Sequence, residues 1–580
     1  MLRGSGGGTS GSTARDDTDV DRRSFIKAGA TGGLLGLTAL AGCQGSQSES
    51  DSGSTDDNAS TQSGSDGGGE MGAKLPTYTY KNQPPSSAPA EHDAVNLIAE
   101  QTRQAGFDVE VEVFEWGTLY SSVREDRDFD FASWLRGLGI DPGRRLPEMF
   151  HSSNLQPPGS GNFEGYENPD LDPILMEQMS VTDTDERVEL LHQCQEAITR
   201  DCPINAVTFM PNLMAYDNTQ VSGWVDFIQG YNFYPSMVSI EVDNADNTLR
   251  GALSDSLGTL NPLGFNNEFI LLWQFDVLYD KLVRFNENAE ADPSMSLAES
   301  WERPSREVME YTIRDHQWHD GEDLTAEDVA FTFNYIKENE VPLYQPQWER
   351  IASAEALDSS TVRITFKEGQ APGPVHRLFS FQVPIIPQHV WERRDNPNNA
   401  TVTEPIGSGP LQMDYWDQGS ELVLESNDDH WQSPNFDRRI IRIIPEQSTI
   451  WSLLEQGELN YAPRTSIGRQ LADLEQQDHI SVAKTNSGTF WLHSMNLRRE
   501  GLSERPVRQA AVSAIPKTAI VDQIFYGYPE RGYNLVSPAF GRYHNEDVMR
   551  FEEGVEPAKQ RLRDNGYVFD EDGMVHFPAN

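Results

Sequence analysis

From Leu75 onward the chain alternates between two hydrophobic patterns. Tyr78-Thr79-Tyr80 and Val109 to Val113 place apolar and polar residues at alternate positions, the period of a half-buried strand. Between them, Ala94 to Gly106 repeats its apolar residues at helical spacing and closes on a glycine. Phe129 to Trp134 predicts another strand, followed by a loop with Gly137, Gly139, Asp141 and Pro142. Asp183 to Arg200 predicts a second helix, capped by Thr182 or Thr184. This succession predicts an α/β lobe. Residues 246–300 begin a fresh cycle, with a strand at Thr248-Leu249-Arg250, a loop at Leu260-Asn261-Pro262 and a helix from Glu268 to Tyr279.

Upstream of Leu75 no core can form. Arg22-Arg23-Ser24-Phe25-Ile26-Lys27 resembles a twin-arginine export signal, and the apolar run from Ala28 to Gly42 is too short for a stable transmembrane helix. The run ends in Leu40-Ala41-Gly42-Cys43, which resembles a lipobox whose cysteine carries the lipid. In this order the two motifs mark residues 1–43 as an export signal, with Arg22 and Arg23 read for export and Cys43 lipidated. Residues 44–74 are nearly all Ser, Gly, Asp, Glu, Asn and Thr and predict a flexible acidic tether. The expected location is the outer face of the cell membrane. There, capture, hydrolysis and adhesion are the open classes.

Length and charge narrow this further. At 580 residues the chain needs several domains, and its hydrophobic fraction of 37% can fill their cores. The formal net charge of −46 repels phosphate backbones and excludes nucleic acid as a partner. With 56 aromatic residues (26 Phe, 18 Tyr, 12 Trp) the acidity does not signal disorder. It suits a surface kept hydrated in high salt and points to a halophilic, haloarchaeal source. Cys194 and Cys202 predict two buried thiols rather than a bridge, and no Cys/His spacing suggests a metal or other cofactor.

The second cycle carries a specific resemblance. Leu278-Tyr279-Asp280-Lys281-Leu282-Val283, Leu297-Ala298-Glu299-Ser300-Trp301-Glu302 and Trp318-His319-Asp320-Gly321 to Val329 follow one another as in the family 5 extracellular solute-binding proteins. Ile406-Gly407-Ser408-Gly409-Pro410, Asn427 to Trp431, Gly457-Glu458-Leu459, Pro506 to Ala510 and Ala558-Lys559…Gly566-Tyr567 continue the series. In that family the last landmark is followed by segments like those found here at residues 75–241. The resemblance therefore implies a circularly permuted order, joined near Val242 to Asn247.

Candidate chemistry is sparse. His316 and His319 are separated by an odd number, so a strand would turn them to opposite sides. The resemblance implies a turn at His319-Asp320-Gly321 that leads into a helix with Thr325 as its cap. Gly407-Ser408-Gly409-Pro410 has too few glycines for a nucleotide loop and is expected to turn the chain between lobes. No nucleophile with a visible base occurs, so the chain is not expected to be an enzyme. The resemblance implies that the loop from Trp134 to Pro142 reaches a ligand cleft, where peptide-binding members place an aspartate for the ligand's amine. Here Gly137 or Leu138 holds that place and Arg136 lies alongside. Trp134, Arg136, Asp141, Phe265 and Trp491 are the candidate ligand-binding residues.

The expected fold is a two-lobed α/β clamp of the periplasmic-binding-protein type II class, with an additional subdomain and permuted chain order. Residues 75–217 and 500–580 would form lobe III, 218–284 and 406–499 lobe I, and 285–405 subdomain II. The expected function is capture of a small molecule (peptide, oligosaccharide or anion) between lobes and its delivery to ABC permease subunits, by a monomer. A ligand-sensing receptor component and a secreted hydrolase are the alternatives from other classes.

Overall fold

A computed structural model describes residues 71–579 except 157–160, 255–256, 265–275, 289, 374–375, 377–382, 395 and 463–466. The export motifs at Arg22, Arg23 and Cys43, most of the tether and Phe265 lie outside the described residues. So does most of the helix expected over Glu268 to Tyr279.

The chain enters through β1 (Met71–Lys74) and β2 (Thr77–Asn82), crosses through α1 (Pro89–Gln104) and returns as β3 (Asp108–Val113) parallel to β2. Met71–Lys74 are thus a strand, not the end of a tether. They find a partner in the strand Val575–Pro578, 504 residues along the chain, with Met71 opposite Pro578. Helix α1 starts at Pro89, whose missing N–H costs nothing at a helix N-terminus. Its buried stripe of Ala94, Val95, Ile98 and Ala99 lies in one core with Leu502, Val507, Ala510, Ala558 and Leu562. Gly106, at a φ of +97°, turns the chain out of α1 where a Cβ would sit 2.6 Å from the Gly573 carbonyl oxygen.

Helix α2 (Trp116–Arg124) leads to β4 (Phe131–Gly137), then α3 (Pro142–Phe150), α4 (Asp172–Glu177), α5 (Thr184–Asp201) and β5 (Ile204–Phe209). The cap of α5 is Asp183, whose carboxylate accepts the Glu186 N–H at 2.9 Å. Thr184, one of the two expected caps, is the first helical residue and Thr182 lies outside. Burial pushes the Cys194 and Cys202 thiols up to about 12, and both are free.

The central sheet of this lobe has six strands. From one edge they run Glu530–Arg531, β5, Thr489–Met495, β4, β2 and β3. Early and late parts of the chain therefore interleave in one sheet. The strand Thr489–Met495, assigned by the sequence to lobe I, lies at its centre between β4 and β5. Conversely, β6 (Asn212–Asp217), assigned to lobe III, pairs with Tyr461–Ala462 and Ile480–Thr485.

The other lobe adds a four-stranded sheet in which Thr248–Leu253 lies parallel to Arg438–Ile443 at one edge. The subdomain has an antiparallel sheet of Ala298–Ser305, Val308–Ile313, Thr361–Phe366 and Ile351–Ala356, with the helix Ala326–Glu338 against it. Thr325 is the cap of that helix, as expected, and its N–H is taken by Asp328 at 3.0 Å.

Two neighbouring connections join the lobes. β5 passes into β6 through Met210 and Pro211, and Ile480–Thr485 passes into Thr489–Met495 through Asn486, Ser487 and Gly488. The strands pair antiparallel on both sides of the crossing. Pro211 cannot donate to the ladder, so pairing is weakened between the two sheets. A Met210 N–H to Thr489 carbonyl bond of 2.9 Å and a Ser487 hydroxyl to Met210 carbonyl bond of 2.6 Å hold the crossing together. The result is a two-stranded hinge.

Candidate functional site: cavities between the lobes

Two cavities open between elements of the two sides. The larger, of about 980 Å³, is walled on the lobe III side by Val181 to Thr184, Arg187 and Pro538 to Tyr543. Its opposite wall comes from Phe285, Trp301, Arg303, Met309, Gly373 and His376. The smaller, of about 530 Å³, lies at the hinge and is lined by the start of α1, Leu135, Met210 to Met214, the Gln229 to Phe233 loop, Ser487 and Thr489.

The larger cavity is aromatic on both walls, with Phe540 and Tyr543 across from Phe285 and Trp301. His376 lies 4.6 Å, centroid to centroid, from Trp301, and burial, with Arg303 nearby, lowers it to about 4. It is therefore a neutral ring at ordinary pH. The basic groups are mostly committed. Arg542 pairs with Asp185, and Arg187 pairs with Asp141 at 2.6 Å. Arg303 donates to the carbonyls of Arg306 at 2.7 Å and Gly373 at 3.4 Å. Asp183, Glu287, Glu290 and Glu302 make the rim acidic.

The sequence candidates do not converge on these cavities. Trp134, Arg136, Asp141 and Trp491 are 6%, 8%, 4% and 1% exposed and line neither cavity. The pleat explains why. Leu492 is opposite Trp134 and Phe490 opposite Arg136, whereas Trp491 is opposite Leu135. Directly paired residues share a face, so Trp491 is on the reverse side of the sheet from Trp134 and Arg136. There it packs in the α1 core, 6.0 Å from the Phe525 ring.

Arg136 lies 4.9 Å over the Phe163 ring and donates to the Gly161 carbonyl at 3.3 Å. Burial lowers its pKa, opposed by the buried Glu164. Its guanidinium is thus buried behind the sheet and turned away from both cavities. Asp141 caps α3 through the Gly143 N–H at 2.9 Å and reaches the larger cavity only through Arg187. The β4 residue that does face a cavity is Leu135, 48% exposed.

A second polar cluster was not legible in the sequence. One donor atom each from Asp280, His316 and His430 lies within 4.8 Å of the others. The proton positions suit a hydrogen-bonded clasp better than metal ligation. His430 Nδ1 accepts the Gln432 N–H at 3.0 Å, which leaves the ring proton on Nε2, directed at Asp280 3.3 Å away. His316 Nε2 donates to the Ser408 carbonyl at 2.8 Å, and the Ser408 hydroxyl donates to Asp280 at 2.9 Å. His319 Nε2 meets the Gly409 carbonyl at 3.0 Å. Both histidines therefore reach the 407–409 turn, because the strand ends at Gln317 and their odd spacing no longer separates them. That turn is pressed against Val277 and Leu278, where Cβ atoms on Gly407 and Gly409 would lie 1.8 and 2.3 Å from carbonyl oxygens.

Residues 292–577 match the family described as bacterial extracellular solute-binding proteins, family 5 Middle. Oligopeptide-binding protein AppA of Bacillus subtilis is 28% identical over 275 residues, covering 44% of this chain and 49% of that protein. The dipeptide-binding protein of Escherichia coli is 25% identical over 336 residues, covering 53% of this chain and 62% of that protein. The chain thus spans about half to three fifths of the length of these relatives. Among solved structures, NikZ of Campylobacter jejuni with Ni(L-His) is similar at a TM-score of 0.41 and 20% identity, covering 57% of this chain and 66% of that one. AppA of Bacillus subtilis with a nonapeptide gives 0.40 and 22%, covering 57% and 67%. Over residues 292–577 the chain is thus similar to the family 5 extracellular solute-binding proteins.

Proposed function

We propose that the protein is the extracellular, lipid-anchored solute-binding component of an ABC importer, binding a small ligand between its lobes without turning it over. The observation that carries this reading is the cavity of about 980 Å³ whose two walls come from opposite sides of a two-stranded hinge. Its volume is at the upper end of the range that buries small-molecule ligands. A ligand touching both walls binds the closed form better than the open one, and occupancy becomes a shape that a permease can read.

The ligand class we favour is peptide-like, saccharide or anionic, seated against the Phe540, Tyr543, Phe285 and Trp301 rings. Gly137 offers no carboxylate to a ligand amine, so capture does not depend on a free amine in the ligand. Twin-arginine export through Arg22 and Arg23, lipidation at Cys43, a high-salt habitat and a monomeric state complete the proposal. The family order is read as permuted, and the pairing of β1 with Val575–Pro578 supports that reading by bringing residue 71 beside residue 578.

The test is mass spectrometry of small molecules retained by the purified protein, followed by titration calorimetry at high salt with di- to pentapeptides, oligosaccharides and small anions. One-to-one binding by a member of these classes is expected. Binding of a peptide that vanishes on N-acetylation would overturn the amine-independent part. Turnover of a bound compound, or no binding across the panel, would overturn the capture reading.

A further inference from the structure

We propose that Gly373 is the closure contact of the clamp, and that the absence of a side chain there sets how far the subdomain can shut onto lobe III. The proposal deepens the ligand-capture reading above.

Gly373 follows the subdomain strand Thr361–Phe366, and the Arg303 guanidinium of the same subdomain donates to its carbonyl. Across the cavity, Met179, Ser180 and Val181 form the turn between α4 and α5 of lobe III. The two segments meet backbone to backbone, with the Gly373 N–H donating to the Met179 carbonyl at 3.0 Å. Arg306 adds a second tie from the subdomain, its guanidinium donating to the Ser180 carbonyl at 3.4 Å. Val181 and Gly373 both line the larger cavity, so this contact forms part of its rim.

A Cβ on Gly373 would stand 1.7 Å from the Val181 carbonyl oxygen and 2.7 Å from its carbonyl carbon. Real Cβ atoms do not approach below 3.0 Å, so any side chain drives the two backbones apart and breaks the Met179 bond. The clash is with the opposing lobe, not with the subdomain's own fold. A substitution should therefore leave each lobe folded and change only their separation. Peptide backbones meeting at a single glycine also make the contact independent of ligand chemistry, as a mechanical stop requires.

The test uses the full exported chain carrying Cys43→Ser and spin labels at Glu189→Cys and Glu299→Cys, one on each side of the contact. Pulsed dipolar distance distributions are compared for this background, Gly373→Val and Arg306→Ala. Gly373→Val should shift the distribution to longer distances, and Arg306→Ala should broaden it in the same direction. Circular dichroism and an unfolding midpoint within a few degrees of the background would show that the lobes remain folded. If Gly373→Val does not fold, the Arg306→Ala result decides alone. Distributions that superimpose on the background overturn the proposal. A shift on substitution in a protein that retains and binds no small molecule upholds the contact while overturning ligand capture, so the two failures are distinguishable.

Discussion

The carboxylate of Asp141 accepts from the Gly143 N–H and from Arg187, and the two charged side chains are 4% and 3% exposed. A pair this buried contributes little net stability, but removing one partner strands the other. Asp141→Ala should therefore cost about 3–5 kcal/mol in urea unfolding, with much of the loss recovered when Arg187→Met is added. A cycle in which the two losses simply add would contradict the coupling.

Burial sets a second residue-scale effect. Burial, with a smaller contribution from Lys517, lowers His493 to about 3 from the ordinary histidine value of 6.5, and its Nδ1 meets the Tyr80 hydroxyl at 2.8 Å. A lowered histidine pKa means that the unfolded chain binds the extra proton between about pH 6.5 and 3, so stability falls as pH falls through that window. His493→Phe should flatten the pH dependence of unfolding free energy there by about 1.4 kcal/mol per pH unit. An unchanged slope would show that the ring is not held neutral.

At the scale of elements, the start of the helix Ala326–Glu338 is joined to the chain at Gln388. Asp328 takes the Thr325 N–H with one oxygen and the Gln388 N–H with the other, at 3.0 and 2.9 Å. Asp328→Ala leaves both donors without their acceptor and should cost about 1–3 kcal/mol, with Asp328→Asn milder. A thermal scan showing no difference between the two variants would mean that charge and acceptor number are irrelevant there. Elements like this were legible beforehand, because caps and periodicity are local. The family-like run Leu-Thr-Ala-Glu-Asp-Val points to Thr325, whereas for α5 Asp183 lies between two equally plausible hydroxyls, Thr182 and Thr184, and is passed over for them.

For the whole molecule, the antiparallel pairing of β1 with Val575–Pro578 predicts that the chain can be reopened elsewhere. A chain beginning at Asn247 and ending at Asp246, with Asn580 joined to Met71 by a short linker, should fold and unfold within a few degrees of the natural order. Failure to fold would show that the present order is required. The outermost parts of the chain make a separate prediction. If Cys43 is lipidated as proposed, Cys43→Ser should release exported protein into the medium, because one thioether-linked lipid would supply its membrane affinity. Arg22→Lys with Arg23→Lys should keep it inside the cell. Membrane fractionation checks both, and unchanged membrane association of Cys43→Ser would refute the lipid anchor.

What the amino-acid order determined by itself was whatever depends on neighbours in sequence: strand and helix periodicity, most caps, the acidic character, and the landmark series that resembles the family. Which side of a sheet a residue occupies was decided elsewhere. Trp491 and Trp134 both read as flat apolar faces for a ligand, yet pairing with Leu135 places Trp491 in the opposite core. That register is a relation between residues more than three hundred positions apart. The same holds for Asp280, His316 and His430, which lie far apart in the chain and meet through its packing. Charge followed the same rule, since Arg136 read as a free cation until folding buried it against Phe163 and beside Glu164. Local patterns report the energetics of a few consecutive dihedral angles. The cavity, its walls and the contact at Gly373 arise from long-range contacts, which form only when the chain has closed on itself.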